Sequence, residues 1–297
     1  MKISQEIKGD VYIIAEAILW SLFPIIVILT YSKLTSLSTL AWSTMFSTVF
    51  FGVLLVVRGK LHELKNIQVY KYALGTAFFI GWLFYGFYST GLKFTSAGNA
   101  SIIALMELFF SYILFNVWKK EELTKEHTWG AVLMLIGAVI ILYPKQGFSL
   151  HGGDLMVLVA SACSPMGNYF QQKARRIVSA ETLLFLRSIF TFPFFFVLAY
   201  FLHSQSSLQN VQSALWILIF NGIFLLGLSK IWWIEGINLI SVTKANALAS
   251  IGPLFTLIFA YFLLGQAPNF WQLFALVPLV IGLRLLTFKS ATQKPLD

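Results

Sequence analysis

The sequence contains little charge: Asp, Glu, Lys and Arg make up 11% of its 297 residues, whereas hydrophobic residues make up 58%. Soluble domains carry about 25% charged residues, so this composition excludes an ordinary soluble fold. A single cysteine, Cys163, excludes an internal disulfide bond and leaves the redox compartment unassigned. The polar breaks between apolar runs are short, which leaves no room for a soluble domain outside those runs.

Enzyme signatures are also missing from the sequence. All four histidines lie in breaks or at the ends of apolar runs, and none has a partner at the spacing of zinc ligands. The sequence has no H-E-x-x-H, no G-x-S-x-G and no glycine-rich phosphate loop. We therefore expect neither enzymatic activity nor a cofactor, and the chain has no ATP-binding domain with which to drive transport.

The apolar residues form ten runs, each close to the roughly 20 residues that cross the hydrocarbon layer as a helix. This pattern predicts an all-α integral membrane fold of ten transmembrane helices. The first run lacks an A-x-A cleavage pattern, so we interpret it as an uncleaved helix and not as a signal peptide. The predicted spans, numbered 1 to 10 in chain order, are 11–31, 37–57, 71–92, 97–117, 127–143, 153–172, 181–202, 214–235, 242–264 and 270–287.

Lysine and arginine are distributed unevenly between alternate breaks. Sixteen of the 21 lie on the side that holds both termini, three lie on the opposite side, and Arg187 and Lys230 fall within spans. Cytoplasmic loops are enriched in Lys and Arg, so both termini are predicted to be cytoplasmic, in a multi-pass protein of the cell (inner) membrane. Topology thus explains the net charge of +9, and no nucleic-acid partner is expected.

The two halves of the chain, 9–144 and 153–288, resemble each other. Gly9–Ser21 aligns with Gly153–Pro165, and three further segments align in the same order at a separation of 143–146 residues. Each repeat contains five spans, which is an odd number, so the two copies must cross the membrane in opposite directions. Inverted repeats of this kind recur in secondary transporters, where two halves can move about a site between them.

Two stretches carry a resemblance to a known family: FTSAGNASIIALMELFFSYILF in span 4 and SVTKANALASIGPLFTLIFAYFLLGQAPNFWQ from span 9 onward. The chain resembles the drug/metabolite transporter superfamily, in its ten-helix form with two EamA-type repeats. The sequence departs from the family pattern at Gln266, which replaces an acidic residue, and at Glu107, which stands opposite Pro253 where proline is frequent. The resemblance implies export of metabolites or drugs through a central cavity, and a looser similarity points to amino-acid exporters.

Ionisable residues within spans are candidates for function, because each costs at least about 2.5–3.5 kcal/mol to insert. Glu107 lies about ten residues from either end of its span, too deep for a carboxylate to reach the interface. It is predicted to contact substrate or couple protons; the alternative is a buried carboxyl group that holds two helices together. Glu16 receives the same two roles, because small four-helix relatives carry an acidic residue on their first helix; the alternative is an interfacial carboxylate.

Lys230 and Arg187 lie in the cytoplasmic third of spans 8 and 7. We predict that they bind an anionic group of the substrate, and the alternative is that both side chains extend to the interface. A cavity that carries both signs of charge favours a zwitterion, such as an amino acid, over a simple cation.

Aromatic and amide side chains complete the predicted substrate site. Tyr85 and Tyr88 of span 3 and Trp233 of span 8 could stack on a substrate, although such rings also face lipid or the core. Asn99 and Asn246 lie beside stripes of small residues in spans 4 and 9, and could donate hydrogen bonds to a polar substrate.

The sequence thus predicts a secondary transporter, and more specifically an exporter. A proton gradient, exchange and uniport all remain open as driving mechanisms. Two other classes also remain open: a lipid or lipid-linked carrier of the flippase kind, and a membrane scaffold or sensor that transports nothing. The expected partners are membrane lipid and a small-molecule substrate; the oligomeric state is open, with a monomer favoured.

Overall fold

The computed structural model describes residues 5–119, 125–142, 152–240 and 242–287. Within these ranges the regular structure is entirely helical and falls into ten segments at the predicted spans. Five of the segments are long and apolar enough to cross a membrane, and three more are shorter apolar helices. The prediction of an all-helical membrane fold is therefore confirmed.

The segments differ from the predicted spans at their ends and in their continuity. Spans 2, 5, 6, 7 and 10 are single α-helices, whereas spans 1, 3, 4, 8 and 9 are divided. In chain order the segments are span 1, Gln5–Trp20 and Phe23–Thr30; span 2, Ser36–Val57; span 3, Gln68–Thr76, Ala77–Phe84 and Tyr85–Gly91; span 4, Ala97–Ala104 and Met106–Lys119; span 5, Lys125–Leu142; span 6, Gly152–Arg175; span 7, Ala180–Phe201; span 8, Leu208–Ser213, Leu215–Phe220, Asn221–Leu228 and Ser229–Leu239; span 9, Val242–Ala249 and Gly252–Leu264; and span 10, Phe270–Thr287.

The two repeats pack against each other through equivalent pairs of spans. Span 2 packs on span 7, span 4 on span 9, and span 5 on span 10; span 1 packs on span 8 as span 3 packs on span 6. Spans 2 and 7 run in opposite directions, because Glu181 near the start of span 7 binds Arg58 after the end of span 2. At the other end of the same pair, Ser204 after span 7 accepts a hydrogen bond from Thr35 before span 2.

Matching glycines allow the closest of these helix contacts. In the first pair, a Cβ atom on Gly9 would lie 3.6 Å from the carbonyl oxygen of Gly236. In the equivalent pair, a Cβ atom on Gly153 would lie 2.6 Å from the carbonyl oxygen of Gly91. Gly9 aligns with Gly153 and Gly91 with Gly236, so both repeats bring two helices together at the same two positions.

Interruptions of the helices also recur in both repeats. Ala77–Phe84 of span 3 and Asn221–Leu228 of span 8 are π-helical, and the two segments are 144 residues apart. Span 4 breaks at Leu105, and span 9 breaks at the equivalent turn before Gly252. π-Helical turns are rare and occur frequently at functional sites, so their recurrence directs attention to the centre of the bundle.

Prolines account for only some of the interruptions. Pro24 and Pro253 lie in the first turn of a new helix, where a missing N–H costs little. Pro165, Pro193 and Pro278 lie inside helices that continue past them.

A charged cluster closes the end of the bundle that the Lys and Arg distribution assigns to the cytoplasm. Glu63, in the connection after span 2, accepts hydrogen bonds from Ser179 and Thr182 at the start of span 7. Partial burial opposes ionisation of Glu63, but these bonds and the nearby Lys60 outweigh it and hold the pKa of the carboxyl group below its ordinary value.

We expect Gly153→Ala to destabilise the protein, because the new Cβ atom would overlap the backbone of Gly91. Overpacking of this kind costs about 1–3 kcal/mol, and it should appear as a lower Tm of the purified protein in detergent. The neighbouring Gly152 is the matched control, because a Cβ atom there would meet nothing within 4 Å. Equal effects of Gly152→Ala and Gly153→Ala would contradict the helix contact.

We expect Glu63→Gln to lower the Tm more at neutral than at acidic pH. Because the pKa of Glu63 is lowered by folding, its ionised form stabilises the protein above the unfolded-state pKa. That contribution is lost as the pH falls through the folded-state pKa, which lies below about 4.3. The Tm difference between wild type and variant should therefore shrink in this acidic window, and a difference that is constant with pH would argue against the assignment.

Candidate transport site

A cavity of about 170 Å³ lies between the two repeats. Seven spans contribute to its wall, and the breaks in spans 1, 4 and 9 open onto it. Its lining residues are Glu16, Ala17, Trp20, Ser21, Pro24, Ile80, Phe84, Tyr85, Tyr88, Ser101, Ala104, Leu105, Glu107, Leu108, Ser164, Asn168, Gln171, Arg187, Lys230, Trp233, Ala249, Ser250, Gly252, Pro253 and Thr256.

An ion pair joins the two repeats at this wall. The Nζ atom of Lys230 lies 2.7 Å from Oε1 of Glu16, and their side chains are only 13% and 4% exposed. The same ammonium group lies 3.4 Å from the centre of the Trp20 ring. Neither Lys230 nor Glu16 extends to the interface, because each satisfies its charge within the bundle.

Arg187 is buried in span 7 without a carboxylate partner among the residues that the structure describes. Its guanidinium carbon lies 5.8 Å from the centre of the Tyr85 ring, and it also hydrogen-bonds to Tyr85. Nη1 donates to Oε1 of Gln171 over 3.4 Å. The positive charge is therefore held by a ring and an amide, which leaves it available to an anion in the cavity.

Glu107 lies in the first turn of the second helix of span 4. The positive end of a helix dipole favours a carboxylate at this position. Nδ2 of Asn168 donates to Oε1 of Glu107 over 2.6 Å, and the hydroxyl group of Ser164 also donates to it. Within the described part of the chain, no lysine or arginine lies within ion-pair distance of Glu107.

A chain of hydrogen bonds connects these two charged groups along span 6. Arg187 donates to Gln171, Nε2 of Gln171 donates to Oδ1 of Asn168 over 2.9 Å, and Asn168 donates to Glu107. Gln171 and Asn168 lie one helical turn apart, so a single face of span 6 carries both amides. This face fixes the position of a cation and of a carboxylate on one wall of the cavity.

An aromatic cluster forms another part of the wall. Trp20 stacks on Phe23 with ring centres 4.3 Å apart, and Tyr85 and Tyr88 lie within 6 Å of Phe23. Span 3 thus faces span 8 across the cavity, where Trp233 forms part of the opposite wall.

The structure brings seven of the nine predicted site residues to the cavity: Glu16, Tyr85, Tyr88, Glu107, Arg187, Lys230 and Trp233. It places the eighth elsewhere, because Oδ1 of Asn99 accepts a hydrogen bond from Gln272 over 2.8 Å at the start of span 10. The side chain of the ninth, Asn246, lies outside the described part of the chain.

Sequence reasoning missed the neutral polar residues of the wall, above all Asn168 and Gln171. Both lie within predicted span 6, where amide side chains are uncommon, so their polarity was the available signal. Trp20 was missed as well, because one tryptophan among nine carries no distinguishing pattern.

A bundle of two equivalent five-span repeats, with broken helices around a polar cavity, is the architecture of a membrane transport protein. The chain belongs to the EamA-like transporter family, whose model matches residues 7–143 and again residues 151–288. This membership confirms the resemblance drawn from the sequence. It assigns the chain to the transporters, a class that is generally non-enzymatic.

Several relatives share this assignment. The uncharacterized transporter YyaM of Bacillus subtilis is 24% identical over 259 residues, which cover 82% of each chain. An uncharacterized transporter of Archaeoglobus fulgidus is 23% identical over 296 residues, covering 86% of this chain and 97% of its own. A solved crystal structure matches 97% of this chain with a TM-score of 0.70 at 17% identity, which shows the shared fold alone.

We expect Gln171→Leu to destabilise the protein by about 1–3 kcal/mol, because it removes acceptor and donor from two buried partners. The adjacent Gln172 is partly exposed and provides the matched control, Gln172→Leu. Thermal unfolding in detergent should show a lower Tm for the Gln171 variant alone. If both leucine variants melt together with wild type, the hydrogen-bond chain does not stabilise the fold.

Proposed function

We propose that this protein is a secondary transporter that exports small zwitterionic metabolites, such as amino acids, across the cell (inner) membrane. The observation that carries the proposal is the presence of Arg187 and Glu107 in one cavity, each held by neutral partners. A substrate with a carboxylate and an ammonium group would complete both. The Lys and Arg distribution supports cytoplasmic termini and hence the orientation of the site.

The energetics of buried charge favour a zwitterionic substrate. An isolated ion is costly in a low-dielectric interior unless it is paired and hydrogen-bonded. A zwitterion would supply the missing counter-charge to Arg187 and to Glu107 at once, whereas a simple cation would leave Arg187 unpaired. Tyr85 and Tyr88 add apolar and aromatic surface for the remainder of the substrate.

We assign proton coupling to Glu107 in preference to Glu16. Glu16 already has an ammonium partner 2.7 Å away, so a proton would have to displace Lys230 to bind there. Glu107 has only amide and hydroxyl partners, and can exchange a substrate ammonium for a proton without breaking an ion pair. Alternating access then requires one cavity that opens first to one side and then to the other.

We expect proteoliposomes that contain the purified protein to take up radiolabelled amino acids, and an imposed pH gradient to increase the rate. Arg187→Met should reduce this flux at least about tenfold, because the substrate carboxylate loses its charged partner; a tenfold loss equals about 1.4 kcal/mol of binding. Glu107→Gln should abolish the stimulation by the pH gradient.

The exposed Arg176 provides the matched control, since Arg176→Met removes the same charge outside the cavity. Absence of amino-acid flux under every gradient would overturn the proposed substrate class, and movement of a fluorescent phospholipid in its place would favour a lipid carrier. Unchanged pH dependence in Glu107→Gln would remove the proton role alone.

A further inference from the structure

The ammonium group of Lys230 occupies a position in the cavity wall that suits any primary ammonium ion. A carboxylate oxygen of Glu16 contacts it at 2.7 Å from one side, and the Trp20 ring lies 3.4 Å away on another. A carboxylate and an aromatic face are the two groups that proteins use to bind organic cations. Stacking on Phe23 fixes the orientation of the Trp20 ring.

We propose that Glu16 and Trp20 form an ammonium-binding site whose resident occupant is Lys230. By filling this site from within the chain, Lys230 excludes free organic cations from the cavity and restricts it to ligands that carry a carboxylate. The site itself follows from the geometry alone, whereas its effect on selectivity rests on the proposed transport function.

The location of the pair separates this role from a purely structural one. Glu16, Trp20 and Lys230 all line the cavity, so a ligand there can reach each of them. A structural ion pair has no need of a face on a ligand cavity. The first repeat cannot supply a second ammonium group of this kind, because Tyr85 occupies the position that aligns with Lys230.

Charge selectivity follows from the competition at this site. A free monoamine must displace a tethered ammonium group that is already in place, and offers nothing to stabilise the displaced Lys230. A zwitterion can do both, because its carboxylate attracts Lys230 while its own ammonium group replaces Lys230 at Glu16 and Trp20. Cations are thus excluded by a resident competitor and not by size.

Chemical rescue tests the site directly. Lys230→Ala leaves the Glu16 carboxylate buried without its partner, and we expect the Tm in detergent to fall by roughly 5–10 °C. The n-butylammonium ion reproduces the deleted side chain. At about 10 mM, some ten times a Kd of about 1 mM, it should recover much of this fall in the variant and leave the wild type unchanged.

Three controls define the chemistry of the rescue. n-Butanol at the same concentration lacks the charge and should recover nothing. The double variant Glu16→Gln, Lys230→Ala lacks the carboxylate and should not respond to n-butylammonium. Lys244→Ala removes an ammonium group that contacts Glu6 and Asp10 outside the cavity, and n-butylammonium should not rescue it.

A second variant covers the case in which Lys230→Ala does not fold. In Lys230→Gln the amide can still donate to Glu16, while the shorter side chain frees the Trp20 face for methylammonium. A rise in Tm with methylammonium, absent from wild type, supports the site. If neither variant responds to its ammonium ion more than wild type does, the proposal is overturned.

Transport measurements separate this inference from the proposed function. Proteoliposomes with Lys230→Ala should accept n-butylammonium at least about tenfold better, relative to amino acids, than wild type does. Rescue of the Tm in a protein that moves no amino acid would uphold the ammonium site and reject the transport proposal. Amino-acid flux in wild type, without rescue or altered selectivity in the variants, would do the reverse.

Discussion

The ion pair between Glu16 and Lys230 joins the first and eighth spans, and thereby the two repeats, at the wall of the central cavity. Within hydrocarbon a charge persists only when it has a partner, faces water or binds a ligand. Glu16 and Lys230 satisfy this requirement mutually. Arg187 and Glu107 do not, and their unmet requirement distinguishes a cavity that can bind a charged ligand from a packing defect.

The symmetry of the fold makes this asymmetry of charge informative. Backbone features repeat closely in the two halves: the glycine contacts, the π-helical segments and the helix breaks all recur at equivalent positions. Side chains at the cavity do not repeat, since Glu107 stands opposite Pro253 and Lys230 opposite Tyr85. The backbone therefore provides a pair of equivalent, movable halves, and the substitutions at a few positions give the cavity its chemistry.

The sequence predicted more of the fold than of the site. Apolar run length and the Lys and Arg distribution depend on composition, so the spans followed from them directly. The partnership of Glu16 with Lys230 links positions 214 residues apart and required the three-dimensional packing. The π-helical segments were missed because hydrogen-bond register leaves no mark on composition, and Gln171 was missed because a neutral amide does not stand out as an ionisable group does.

The two ends of the bundle differ in a way that bears on alternating access. Buried Glu181 binds Arg58 and Lys60 at one end, whereas Ser38 donates to the backbone of Ser204 at the equivalent place on the other. Opening the charged end would expose Glu181 to water, which replaces the cations at modest cost, since exposed ion pairs contribute about 0–1 kcal/mol. Opening the neutral end would exchange hydrogen bonds for equivalent bonds to water. Both ends can therefore separate at small cost, and the central cavity, where charge cannot be left unpaired, is where a ligand can decide which end does so.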